Sequence, residues 1–141
     1  VKLITKVCFL NKKITIYIKP HPILNINQII SKNDIPFNLI VYENNLKKIL
    51  DKSLITITAG PSSALLESVC YRTYNILPEV ECGTDMNAKI FNLKNHEYSL
   101  VRNSYELLRK INYIHKNKNK INVAKRTVID PKAKKLNNLI N

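Results

Sequence analysis

Two tetrapeptides hold the residues best suited to chemistry: Lys19-Pro20-His21-Pro22 and Gly60-Pro61-Ser62-Ser63. Each falls where an apolar run ends. His21 stands between two prolines, which fix backbone angles and remove donors, so its imidazole leaves the chain at a set angle. A preorganised cation or N–H donor of that kind suits a phosphate that departs with negative charge. Ser62 and Ser63 stand where a helix opens, with free N–H groups, partial positive charge and added hydroxyl donors. Gly60 is one of two glycines in the chain, and it permits a tight turn or close backbone approach. Each feature has a plainer reading: a turn histidine that ends a strand, and serines that simply cap a helix. Glu79, after a later strand, is placed to meet ribose hydroxyls or to be an ordinary surface carboxylate.

The elements that position these groups follow from apolar spacing. Leu3, Ile4, Val7 and Cys8 recur at helical intervals, so residues 1–10 read as an amphipathic helix, with a strand as the rival. Ile14–Ile18, Leu39–Tyr42, Leu54–Thr58 and Thr73–Leu77 are β-branched or aromatic runs and read as strands. Between them fall a short helix around Ile26, Ile29 and Ile30, and a helix capped by Asn44 or Asn45 with Leu46, Ile49 and Leu50 inward. The last intervening helix follows Gly60-Pro61, with Leu65, Leu66, Val69 and Cys70 inward. Strands alternating with helices predict right-handed crossovers and a parallel sheet, an α/β Rossmann-like fold. In such a sheet ligands bind at the carboxyl ends of the strands. If both motif strands share one sheet, His21 and the serine hydroxyls converge on one anionic group. Beyond Glu79, Thr84 caps a short helix through Ile90 and Phe91. Leu100, Val101, Tyr105, Leu108, Ile111 and Ile114 then predict a longer one at about 3.6-residue spacing.

The 141 residues suit one domain, and 45% are apolar, enough for a core. Asn, Ile and Lys dominate, so not every lysine is functional. The net charge of +13 is unevenly spread: residues 1–108 carry 13 Lys/Arg against 9 Asp/Glu, residues 109–141 carry 10 against 1. The basic segment favours solubility, an anionic membrane surface or, less readily, nucleic acid, since only Tyr113 offers a stacking platform. Cys8, Cys70 and Cys82 lack metal-ligand or CxxC spacing, which points to a reducing compartment and core-filling roles for Cys8 and Cys70. His96 and His115 have no partner pattern. No apolar run reaches the ~20 residues of a membrane span. GxGxxG, Walker A, HExxH and nucleophile-elbow motifs are absent, which argues against dinucleotide oxidoreductases, P-loop NTPases, zincins and α/β-hydrolases.

A strand ending in Lys19-Pro20-His21-Pro22, then one ending in Gly60-Pro61-Ser62-Ser63 before Leu65-Leu66-Glu67, resembles the C-terminal half of GT-B glycosyltransferases. Among these it is most similar to bacterial sialyltransferases and polysialyltransferases, with their His-Pro and Ser-Ser motifs, over residues 1–80. The resemblance implies that His21, Ser62 and Ser63 hold the phosphate of a CMP-activated sugar, with Pro22, Gly60 and Pro61 shaping the site. It implies metal-independent inverting transfer to a glycan acceptor in capsule or lipooligosaccharide synthesis, with no cofactor beyond the donor. The paired acidic base motif of such enzymes finds no match in residues 1–141. The sequence therefore reads as a fragment lacking the first strand of its sheet: a nucleotide-sugar-binding domain over 1–115 and a basic extension over 116–141, not catalytic alone. Transferases using CDP-glycerol or CMP-Kdo share similar signatures. The setting expected is the cytoplasm, with the basic extension as a route to the inner face of the membrane.

Overall fold

A computed structural model describes residues 2–21, 35–58, 63–71, 73–79, 93 and 98–120. In chain order its elements are α1 (Lys2–Leu10), β1 (Ile16–Ile18), β2 (Leu39–Val41), α2 (Leu46–Leu50) and β3 (Ile55–Ile57). There follow α3 (Ser63–Cys70), β4 (Tyr74–Pro78), β5 (Tyr98–Val101) and α4 (Ser104–Lys116). Among the described residues every strand pairing is parallel, so the α/β reading with open parallel sheets flanked by helices holds. The ladders form two sheets rather than the single one expected: β1–β2, and β3–β4–β5. Among the described residues β1 meets the second sheet through packing rather than a ladder. Ile16 shares a cluster with Ile55, Ile57 and Ile76.

The central strand β4 explains the layering. All five of its residues are buried, as expected of a parallel strand covered on both faces. Tyr74 and Ile76 face α1 and α4, joining Val7, Leu107, Ile111 and Ile114 in the main core. The alternate residues Asn75 and Leu77 face α3, where Leu77 packs on Leu65. Asn75 is polar yet fully buried, and its amide is satisfied there. Ser68 Oγ lies between the Leu65 carbonyl (2.7 Å) and Asn75 Oδ1. Thr73 Oγ1 donates to the Ser68 carbonyl at 3.0 Å and lies 2.7 Å from Thr56 Oγ1. The chain of hydroxyls ties α3 to β3 and β4.

A second polar anchor holds α1. Asn38, buried just before β2, directs Nδ2 at the carbonyls of Cys8 (3.2 Å), Asn11 (3.1 Å) and Ile14 (2.7 Å). It thereby satisfies carbonyls that the end of α1 leaves open. The predicted helix over residues 1–10 forms, with Val7 and Cys8 buried as its spacing requires. Of the two candidate caps for α2, Asn45 serves: its Oδ1 accepts from Lys47 N–H at 2.9 Å.

Another expectation also fails. Leu100 and Val101 do not open the last helix; they end β5, paired with Leu77 and Pro78 of β4. The helix starts at Ser104, and Tyr105 is exposed rather than inward. The stop is Asn103, whose Oδ1 accepts from Tyr105 N–H (3.0 Å) and Glu106 N–H (2.9 Å) while Glu106 Oε2 accepts from Arg102 N–H (2.8 Å). This reciprocal cap fixes the boundary more strongly than apolar spacing does. The helices expected near Ile26–Ile30 and Thr84–Phe91, the Leu66 side chain and most of the basic extension lie outside the described residues.

Asn75→Ala removes a partner of Ser68 and empties a packed site. It should lower unfolding stability by about 2 kcal/mol, read as a lower urea midpoint at constant slope. Burial also pushes the Cys8 thiol above its ordinary 9.0. As pH rises from about 8 to 10 the unfolded thiol ionises first, so the native state holds more protons and stability falls. Denaturation curves of Cys8→Ala across that range should lack this part of the fall.

Candidate functional site

The carboxyl ends of the strands carry the groups of interest. His21 stands exposed three residues past β1. Next to it in sequence, Lys19 turns toward β2, where Nζ donates to the Glu43 carbonyl at 3.0 Å. Tyr42 N–H donates to the Ile18 carbonyl at 2.8 Å, which extends the β1–β2 pairing to the rim. Lys19 is thereby engaged in closing this edge.

In the other sheet, Ser63 is the first residue of α3 and is exposed. The first turn of α3 holds no acidic residue. The helix dipole and the exposed Ser63 hydroxyl are therefore compatible with an anion by charge and by chemistry. Pro22, Gly60, Pro61 and Ser62 lie outside the described residues. The structure thus places His21 and Ser63 at strand ends of two different parallel sheets.

Sequence reasoning missed Thr58. It follows β3, and its N–H donates to the Ile76 carbonyl at 3.2 Å, so the ladder still holds there. Alternation from Thr56 puts its side chain on the face that α3 covers. Thr58 is only 7% exposed, and its Oγ1 is buried with no hydrogen-bond partner. A buried hydroxyl without a partner is costly, and a polar residue closing an apolar strand ahead of a glycine was the available signal.

Glu79 stands at the end of β4, where a ribose contact was expected, and is exposed. Its carboxylate is paired with Arg102 Nε at the end of β5. Hydrogen bonding and charge from Glu79, with a further contribution from Glu106, raise the Arg102 pKa. Glu79 N–H also donates to the Val101 carbonyl at 2.7 Å, which sets the two strand ends side by side. Arg102 escaped notice because residues 100–105 read as helix; the Asn103-x-x-Glu106 cap marked the break. Separately, an open groove of about 370 Å³ runs between β5 and α4, lined by Ser99, Glu106, Arg109, Lys110 and Tyr113 among others. It includes none of the expected site residues.

Among the described residues no group of three or more His, Cys, Asp or Glu is placed to hold a metal ion. None of the described helices is long and apolar enough to cross a membrane. No protein-family model, curated protein or solved structure matches the chain.

Replacing Thr58 by the near-isosteric valine removes an unsatisfied hydroxyl without emptying space. Thr58→Val should leave the urea midpoint unchanged or raise stability by about 1 kcal/mol. A loss of that size would reveal a partner for the hydroxyl.

Proposed function

We propose that this chain is the donor-binding part of a glycosyltransferase that uses a CMP-activated sugar, of the sialyltransferase-like kind. The observation that carries the reading is the position of Ser63. It is an exposed hydroxyl on the first residue of a helix that follows a parallel strand, with no acidic side chain in the first turn to repel an anion. His21, exposed beyond the carboxyl end of another parallel strand, supports it. The order of the two motifs, His-Pro then Ser-Ser, is that of the enzymes the sequence resembles.

In the proposed reaction an acceptor hydroxyl attacks the anomeric carbon, and the bond to the phosphate of CMP breaks. Negative charge collects on the departing phosphate. In this reading His21 and the Ser63 hydroxyl, which stand at the ends of strands in different ladders, both reach the departing phosphate and stabilise its charge. A single phosphate leaves, so these donors take the part that a metal ion plays for a pyrophosphate. Donor binding and leaving-group stabilisation are this chain's share; the glycan acceptor and the base that deprotonates it are supplied from elsewhere in the proposed enzyme. The Glu79–Arg102 pair would border the nucleoside side of the site.

Titration of CMP into the protein, followed by calorimetry or by amide chemical shifts, tests the reading. Saturable binding with a Kd up to about 1 mM is expected. His21→Ala and Ser63→Ala should each weaken it roughly tenfold, the worth of one charge-assisted hydrogen bond. Cytidine, which lacks the phosphate, should respond to neither substitution. Binding of CDP or UDP in preference to CMP would redirect the proposal to another donor. Absence of binding by all three would end it.

A further inference from the structure

Helices α1 and α4 pack together and cover one face of the β3–β4–β5 sheet. Their inward residues are spent on the core. Their outward residues form a second surface, distinct from the strand ends. From α1 it takes Lys2, Lys6, Phe9 and Leu10; from α4 it takes Tyr105, Arg109, Tyr113 and Lys116, all exposed. The two sets are continuous. Lys6 Nζ lies over the Tyr105 ring at 5.0 Å, a contact that crosses from one helix to the other.

The chemistry of this surface is uneven in a telling way. Phe9 is 59% exposed, Tyr105 63% and Tyr113 57%, so bulky rings stand largely in water. Cations surround them. Helix α1 contains no acidic residue, and Lys12 and Lys13 follow it at once. The single acid of α4, Glu106, is taken up at the helix start, where it accepts from Arg102 N–H and Asn103 Nδ2. Lys110 stacks against the rings of Tyr74 and Tyr113 at 5.3 and 5.4 Å, and Arg109, Lys110 and Tyr113 also line the groove beside β5.

We propose that the outer face of the α1–α4 layer docks on an anionic lipid surface. Lysine and arginine headgroups complement lipid phosphates, tyrosine rings suit the headgroup level, and Phe9 with Leu10 supply apolar area for the acyl boundary. Nucleic acid fits less well. It would use the cations and the rings, but Leu10 beside Phe9 offers no stacking face and no hydrogen bond. This docking does not depend on the identity of the nucleotide bound at the strand ends, and it assigns to two helices a contact that composition alone assigned to residues 109–141.

Co-sedimentation of the full chain with phosphatidylcholine vesicles, with and without roughly one-third phosphatidylglycerol, tests the proposal. Binding is expected only with the anionic lipid and should weaken as salt is raised. The double charge reversal Lys6→Glu/Arg109→Glu should lower the affinity roughly tenfold or more, with an unchanged circular dichroism spectrum. Phe9→Ser, which leaves every charge in place, should weaken binding severalfold. Three results would overturn the proposal. One is absence of vesicle binding. Another is equal binding by the parent and the charge-reversed chain, which would transfer the contact to residues 121–141. The last is preference for a single-stranded oligonucleotide over the anionic vesicles.

Discussion

The fold turns on a buried polar chain that a core of this size rarely carries: Thr56, Thr73, Ser68 and Asn75, linked under α3. Ser68, Thr73 and Asn75 are fully buried and would be expensive alone; linked to one another and to half-buried Thr56, they are satisfied and directional. Leu65 and Val69 would hold α3 against the sheet by burial in many orientations. The hydroxyl chain allows far fewer, because Ser68 must meet both its own helix and Asn75 of β4. A helix of eight residues has little intrinsic stability, so tertiary anchoring decides whether its first turn is ordered. The placement of Ser63 at the rim therefore traces back to Asn75, a residue in the sheet interior.

Asn38 does the corresponding work at the other sheet. Its amide reaches three carbonyls of the α1–β1 connection, with its own Oδ1 left buried and unpaired. The two amide protons are shared among the three carbonyls, while the acceptor oxygen is left unmatched. It fixes the end of α1 against β2, and with it the direction in which β1 runs toward His21. Two asparagines thus set the two halves of the rim. Both contribute through hydrogen bonds that apolar pattern reading does not register.

That explains what could be read from the sequence. β1, β2, β3 and β4 were visible because each is a β-branched or aromatic run bounded by Pro, Asn or Gly, and α1 was visible because Val7 and Cys8 obey helical spacing. β5 was hidden because Leu100 and Val101 happen to continue the spacing of Leu108, Ile111 and Ile114. Only the Asn103 cap separates them, and a cap is a short polar signal against an apolar pattern that runs from Leu100 to Ile114. The split into two sheets was equally hidden: ladder partners depend on which strand edges meet, and β1 presents three residues to that choice. At the rim, His21 and Ser63 were legible as residue types at strand ends. The Glu79–Arg102 pair was not, because the two residues are neighbours only through the unseen strand. Thr58 was not, because an orphaned hydroxyl is a property of its surroundings.

The two surfaces of the molecule differ in how they would hold an anion. Along the described rim, Lys19 and Arg102 stand against Glu43 and Glu79, and Arg102 is already paired. Net charge there is small, so attraction for a phosphate comes from oriented dipoles and individual donors. Such forces act over a few ångströms and are screened little by salt. The α1–α4 face is the reverse. Its cations are long, solvated and unopposed by acids on α1, so its pull is long-ranged, weakly directional and strongly screened. The proposed rim site would take a defined group in a fixed pose, the proposed helix face an extended charged plane. Because the first lies at the ends of the strands and the second on a face of the sheet, occupation of one leaves the other open. Under both proposals, a small anionic ligand at the rim and an anionic surface on the helix face would be held at the same time.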